Sequence, residues 1–296
     1  MADNESRDSR GIYLSPVKNK FMRTIIAPTD FSPVSINAVN YAADMACMLR
    51  ANLTLFYVYP IPQPVSEAPI TEYSIEQIES DARRKINALK EALLDRTGER
   101  IIIHNELRAG DVLSNLTGYC AEVMPYAVVM GAESLGGLER FILGGKTTDA
   151  VMRLESLLFI VPATAKFKRI AKIGLACDLK KVIETVRVRE IRELVNEFEA
   201  ELHVLNIREN FQDTISTEAA GEADWLKAML GELHPKYHFI NDPDMEHGIV
   251  GFVEKKKLDL LIIIPKKHKL LGKLFHHSDS QRLVLHTQVP VISLHE

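Results

Sequence analysis

Residues Thr24–Asp30, with the sequence Thr-Ile-Ile-Ala-Pro-Thr-Asp, are a short apolar run that ends in polar and turn-forming residues. Such a run is typical of a buried parallel strand followed by the loop at its carboxyl end. Ser32-Pro33 comes next and supplies a helix N-cap and a proline suited to the first helical position. Apolar residues then recur on one helical face from Val39 to Leu49. The sequence therefore predicts a strand, a loop and a helix in succession.

The same alternation continues through the first half of the chain. Further strands are predicted at Leu53–Val58, Ile101–Ile103, Ala127–Met130 and Leu158–Val161. Helices are predicted between them, from Ser74 to about Arg96, from Val112 to Val123 and from Thr148 to Leu154. This order predicts an α/β fold with right-handed crossovers and a mostly parallel five-stranded sheet that carries helices on both faces.

The second half of the chain repeats the order of the first. Lys172–Asp178 matches Thr24–Asp30, and Leu202–Ile207 matches Leu53–Val58. An internal duplication predicts two tandem domains. We place them at residues 21–165 and 166–296, after a flexible segment at residues 1–20.

The linker between the halves, Pro162–Lys168, is short. We therefore expect the two domains to pack on each other as a pseudo-dimer within one chain, the arrangement that single-domain copies would form as a homodimer. The last strands of the two halves, ending near Val161 and Leu294, are candidate edges for pairing.

Composition excludes several classes of protein. The net charge of −4 and the pI of about 6.2 provide no positive field for a nucleic-acid backbone. The acidic N-terminal residues do not resemble a signal peptide, and no apolar run approaches the roughly 20 residues of a membrane span. The three cysteines are widely separated and suggest neither a disulfide framework nor a thiolate metal site. We expect a cytoplasmic protein that binds neither nucleic acid nor membrane.

Two segments of the first half are suited to holding a ligand at the carboxyl edge of the sheet. After the first strand, Asp30 has two interpretations, as an acceptor for a ribose or adenine edge or as a cap for the following helix. After the fourth strand, Gly131–Gly137 and Leu143–Thr148 are rich in glycine, and Lys146 and Thr147 offer an ammonium and a hydroxyl to phosphates. The alternative for the second segment is an ordinary glycine-rich loop. The sequence argues against a P-loop, since Arg140 stands where that motif requires glycine and no predicted strand leads directly into it.

The duplicated order, the aspartate after the first strand and the stretch from Val128 to Gly145 resemble the universal stress protein family in its tandem form. The resemblance implies two Rossmann-like domains of the HUP, or adenine nucleotide α-hydrolase-like, type. Nucleotide-binding members carry G-x-x-G-x(9)-G-[ST] after the fourth strand. In this chain Gly131 and Gly144 match, Ser134 replaces the second glycine, and Gly145 replaces the hydroxyl residue.

The family resemblance implies a nucleotide site in the first half. Adenine is expected near Pro28, Thr29, Asp30, Val58 and Met130, and the phosphates of ATP or AMP, with or without Mg²⁺, near Gly131, Ser134, Gly144, Gly145, Lys146 and Thr147. The second half has Pro265 in place of Gly131 and bulky residues in place of the glycine corners, so we expect it to bind no nucleotide. His276, His277 and His286 are interpreted as structural or surface residues rather than metal ligands.

Three functions compete. The first is a stress-response module that binds adenine nucleotide and acts through its nucleotide state or through partner proteins not identified by the sequence, with at most slow ATP hydrolysis. The second is a nucleotide-free dimeric scaffold that acts by protein contacts, which the Ser134 and Gly145 departures favour. The third is an enzyme that transfers a nucleotidyl group, which the fold alone permits. No catalytic residue is assigned.

Overall fold

The computed structural model describes residues 23–61, 72–132, 156–208, 217–264 and 287–294. In the first half the strands are β1 Thr24–Pro28, β2 Asn52–Tyr59, β3 Ile103–Ala109, β4 Ala127–Ala132 and β5 Leu157–Pro162, and the helices are α1 Pro33–Leu49, α2 Glu72–Thr97 and α3 Val112–Val123. In the second half the strands are β6 Lys172–Ala176, β7 Glu201–Arg208, β8 Lys236–Asn241, β9 Leu260–Ile263 and β10 Val291–Ser293. The helices there are α4 Val182–Thr185, α5 Val188–Phe198, α6 Thr217–Leu230, continued by a 3₁₀ turn at Gly231–Leu233, and α7 Met245–Lys256.

These strands form one ten-stranded sheet in the order β3-β2-β1-β4-β5-β10-β9-β6-β7-β8. Within each half all neighbouring strands are parallel, and both halves have the same order, with the first strand in the middle. The predicted α/β fold with two repeated, parallel five-stranded units is therefore confirmed.

The halves join through their last strands. β5 and β10 run antiparallel, with Phe159 opposite Ile292 at the centre of the register. This confirms the predicted pairing of the strands that end near Val161 and Leu294. Because the pairing is made within one chain, the edges of the described sheet are β3 and β8.

Alternate residues of the strands pack into two apolar layers, one on each face of the sheet. One layer contains Ile25 and Leu53 with helices α1 and α2, and it continues into the second half through α5 and α6. The other contains Ile26 and Phe56 with α3 and α7. The helices therefore cover both faces, as predicted.

Side-chain contacts beside the joint hold the linker and the second half against the first half. The side-chain amide nitrogen of Asn37 in α1 donates to two backbone carbonyl oxygens, that of Pro162 at 3.1 Å and that of Ala165 at 2.9 Å. These bonds fix the start of the linker. Tyr41 and Phe167 form an edge-to-face pair with ring centroids 5.1 Å apart. Arg23, just before β1, pairs with Glu197 of α5. The short linker is thus held against the first half.

The third strand and the second helix do not begin where they were predicted. The third strand was predicted at Ile101–Ile103, but β3 begins at Ile103 and runs to Ala109. Its partner β2 is eight residues long, and the ladder continues to its end at Tyr59 opposite Ala109. An edge strand can carry polar residues on its solvent side, which hid this one in the sequence. Helix α2 begins at Glu72 rather than Ser74. The helix predicted at residues 148–154 lies outside the described residues.

Candidate functional site at the carboxyl edge of β1, β2 and β4

The carboxyl ends of β1 and β2 bring two of the predicted site residues to one level. Pro28 pairs with Phe56 in the register of these strands, so Asp30 and Val58 each lie two residues beyond the last pair of the ladder. The amide of Thr29 donates to the carbonyl oxygen of Phe56 at 2.9 Å and extends the ladder to the start of the loop. Pro28, Thr29 and Val58 are buried and Asp30 is exposed, so the carboxylate is the group that β1 offers to solvent.

Asp30 organises the turn that leads into α1. Its Oδ1 accepts the Ser32 amide at 2.9 Å, and the Ser32 hydroxyl in turn accepts the Ser35 amide at 3.2 Å. Ser32 is therefore the N-cap, as predicted, and the alternative in which Asp30 caps the helix directly is wrong. Partial burial works to raise the pKa of Asp30, but hydrogen bonds from Ser32 and Ser35 outweigh it and hold the pKa below its ordinary value. The carboxylate is thus ionised at neutral pH.

The turn also contains a strained residue. Phe31 has a φ of 64°, a left-handed conformation that is unfavourable for a bulky side chain. The Thr29 hydroxyl accepts the Phe31 amide at 3.0 Å and lies 3.0 Å from the Ser35 hydroxyl. The Phe31 ring contacts Tyr57 edge to face at 4.7 Å. Burial, together with the charge of Asp30, raises the pKa of Tyr57. Sequence reasoning missed Ser35 and Tyr57; the serine pair at positions 32 and 35 was an available signal, whereas Tyr57 required the strand register.

Gly131 lies in β4, where the sheet passes close to the start of α1. A Cβ atom added there would lie 2.7 Å from Cγ1 of Val34 and 2.8 Å from its carbonyl oxygen, closer than side chains tolerate. The glycine is thus required by the packing of α1 on β4. Met130, the preceding residue, is half-buried and packs with the layer that contains Val58. The other predicted phosphate contacts, Ser134, Gly144, Gly145, Lys146 and Thr147, lie outside the described residues.

The second half reproduces the same turn. Leu179, like Phe31 in the first turn, has a left-handed φ, here 53°. The backbone amide of Lys180 donates to Oδ1 of Asp178 at 3.2 Å, and that of Cys177 donates to the carbonyl oxygen of Leu205 at 2.9 Å. The aspartate turn is therefore a property of the repeated fold and not of the first half alone.

The surroundings of the second turn differ from those of the first. The carboxylate of Glu222 in α6 accepts the backbone amide of Val182, at the start of α4, at 2.7 Å. The side-chain amide of Asn206 donates to the carbonyl oxygen of Cys177 at 2.9 Å. A small cleft remains between the strand ends and α7, lined by Ala176, Cys177, Asp178, Leu205, Ile207, Met245 and Ile249. Its walls are mostly apolar. A carboxylate of the chain itself thus accepts an amide hydrogen bond at the start of α4.

Neither a metal centre nor a membrane helix is found in the described part of the chain. No group of three or more His, Cys, Asp or Glu side chains there is arranged to hold a metal ion. No helix within the same residues is long and apolar enough to cross a membrane. His276, His277 and His286 lie outside them.

Comparisons with known proteins identify the architecture. Residues 22–155 match the model of the universal stress protein family. A universal stress protein from Archaeoglobus fulgidus DSM 4304 is similar in structure, with a TM-score of 0.64 and 16% identity over 93% of this chain and 96% of that one. A putative universal stress protein from Pseudomonas aeruginosa UCBPP-PA14 has a TM-score of 0.54 and 11% identity, covering 93% and 94% of the two chains. At these identities the likeness shows the fold, and it extends over both halves. A search of the curated proteins found no match.

Proposed function

We propose that this chain, whose residues 22–155 belong to the universal stress protein family, binds ATP or AMP in its first half and acts through its nucleotide state or through partner proteins. In this proposal adenine contacts Pro28, Thr29, Asp30, Val58 and Met130. The phosphates contact Gly131, Ser134, Gly144, Gly145, Lys146 and Thr147, and Mg²⁺ can accompany them. The proposal assigns no catalytic residue and allows at most slow hydrolysis.

The ionised, exposed carboxylate of Asp30 carries this proposal. Ligands of open parallel sheets bind at the carboxyl ends of the strands, and a carboxylate there can accept hydrogen bonds from ribose hydroxyls or an adenine amine. The turn is already held by Ser32 and by the hydroxyl of Thr29, so the carboxylate does not have to be reorganised on binding. Buried Val58 and half-buried Met130 supply apolar surface for the base on the neighbouring strands.

A nucleotide-free scaffold is the second candidate, and two observations favour it. Packing against Val34 explains Gly131 without a phosphate, and the same aspartate turn recurs at Asp178 in the half that is expected to bind no nucleotide. The shared sheet through β5 and β10 would then present two similar faces to protein partners. The proposed domain limits, residues 21–165 and 166–296, apply to either candidate.

The test compares the two aspartates. The protein is purified without added nucleotide and denatured, and the released molecules are identified by mass spectrometry; affinities for ATP and AMP are then measured by titration calorimetry. Asp30→Ala and Asp178→Ala each remove the hydrogen bond that orders one turn. We expect Asp30→Ala to weaken binding about tenfold or more, since hydrogen bonds to charged groups contribute about 1.5 to 3 kcal/mol, and Asp178→Ala to leave it unchanged.

Each outcome separates the candidates. Near-stoichiometric ATP or AMP together with the Asp30-specific loss supports the nucleotide module. A protein that is purified empty and binds neither ATP nor AMP supports the scaffold. Equal losses in both variants would mean that the aspartates act only through the fold, and the site assignment would be wrong.

A further inference from the structure

Two histidines on adjacent strands form a hydrogen-bonded pair at the end of the sheet that belongs to the second half. Nδ1 of His203 in β7 lies 3.0 Å from Nε2 of His238 in β8, and the rings stack with centroids 5.2 Å apart. His203 is buried, with 3% of its surface exposed, whereas His238 is half-buried. The His238 ring also packs 4.8 Å from the Phe252 ring of α7. Since β8 is the edge strand, this pair links the edge to the sheet and to a helix.

The contacts of the pair fix where its protons lie. Nε2 of His203 lies against a carboxylate oxygen of Glu201, a contact that favours the tautomer with the proton on this nitrogen. In this tautomer Nδ1 of His203 accepts and Nε2 of His238 donates to it, so the His203 ring is neutral. One further proton can bind only at Nδ1 of His238. A proton added to Nδ1 of His203 would place two donors against each other and break the bond between the rings.

The charged groups around the pair are mostly positive. Lys236 of β8, Lys256 of α7 and Lys172 of β6 act on one or both rings, against the single carboxylate of Glu201, which Lys236 itself pairs at 2.5 Å. Burial is the largest cause that lowers the pKa of both histidines, and the attraction of Glu201 does not restore that of His203. The folded second half therefore favours uncharged rings.

The first half has different residues at the same places. Thr54 is the third residue of β2, as His203 is of β7. Glu106 lies two residues beyond the β3 partner of Thr54, as His238 lies two beyond the β8 partner of His203. Tyr119 occupies the place of Phe252, eight residues after the helix cap, and hydrogen-bonds to Thr54. The imidazole pair is thus a feature of the second half only.

We propose that the His203–His238 pair makes the second half acid-responsive, so that β8 and the adjoining part of α7 loosen from β7 as the pH falls below about 6.5. A histidine whose pKa is lowered by folding contributes stability that is complete above its unfolded pKa and is lost as the pH falls through its folded pKa. His247 works in the opposite direction, because its pair with Asp242 raises its pKa, but it lies fully exposed at the other end of α7. The response does not depend on nucleotide.

Amide hydrogen exchange of the full chain, without nucleotide, tests the proposal. Exchange is measured between pH 7.5 and pH 5.5 and corrected for its intrinsic pH dependence. Below about pH 6.5 we expect the opening constant of β8 to rise by up to about tenfold per pH unit for each proton taken up. The opening constant of β3, the equivalent edge of the first half, should stay constant.

The matched variant removes both imidazoles: His203→Thr and Phe252→Tyr copy the first half, and His238→Gln takes the shape of Glu106 without its charge. It should make β8 insensitive to pH over this range. An acid response that persists in the variant, or one that is equal in β3 and β8, would overturn the proposal. If the variant does not fold, histidine proton resonances of the unaltered protein decide: two coupled titrations below the ordinary histidine range support the pair, and independent ordinary titrations overturn it.

Discussion

Replacing Gly131 with alanine tests whether this residue serves the fold. The added Cβ would meet Val34 at 2.7 Å on its side chain and at 2.8 Å and 3.0 Å on its backbone oxygen and carbon, whereas ordinary contacts are 3.4 to 4 Å. Backbone in the first turn of α1 would have to move by several tenths of an ångström. Overpacking of this kind costs about 1 to 3 kcal/mol, and the lower entropy of the unfolded alanine chain offsets about 0.4 to 1 kcal/mol. We expect a net loss of about 1 to 2 kcal/mol in the free energy of unfolding.

Urea denaturation followed by far-ultraviolet circular dichroism measures this loss, with an unchanged slope as evidence that the unfolded state is unaffected. Gly118→Ala is the matched control, because a Cβ there has no neighbour within 4 Å and the residue lies inside α3. That variant should gain about 0.5 to 1 kcal/mol from helix propensity. If Gly131→Ala is as stable as the parent, α1 can shift freely, and the packing explanation of this glycine is refuted.

Three further predictions concern the joint between the halves and a buried thiol. Arg23→Met and Glu197→Gln should each lower the free energy of unfolding by about 1 to 2 kcal/mol. In a double-mutant cycle the combined variant should lose less than the sum of the two single losses, whereas additive losses would exclude a direct pair. Asn37→Asp should cost about 2 to 3 kcal/mol in urea denaturation because it sets a carboxylate against two linker carbonyls, whereas a neutral result would mean that the linker is not fixed there. Cys120, whose pKa burial raises to about 12, should resist alkylation at pH 8 until the protein is unfolded, as mass spectrometry would detect; rapid labelling of the native protein would contradict its burial.

Local sequence signals were enough for the elements that are buried or capped. The apolar run of β1 and the Ser32-Pro33 start of α1 carry their structural information within a few residues, so they could be predicted. The repeat then extended the prediction to the second half. The prediction placed β3 at the wrong residues because an edge strand tolerates polar residues. The length of β3 is set by its partner β2, which is distant in sequence.

The candidate site was predictable in its chemistry and less so in its contacts. Asp30 could be selected because it follows the first strand of a parallel sheet, although Ser32 rather than Asp30 caps the helix. The packing role of Gly131 could not be inferred, since Val34 lies far from it in sequence. The same limit hid His203 and His238, which become neighbours only through the register of β7 and β8.

The two halves act as controls for each other. The aspartate turn, its left-handed residue and its ladder hydrogen bond occur in both, so they follow from how a strand enters a helix in this fold. We therefore expect a difference in function to arise from the side chains in and around the turn. At the second turn, the carboxylate of Glu222 accepts the Val182 amide, and a carboxylate beside the loop disfavours a bound anion there. Nucleotide binding should consequently be lost when Asp30 is replaced and retained when Asp178 is replaced. The second half can then carry a different property, such as the response of its histidine pair to acid.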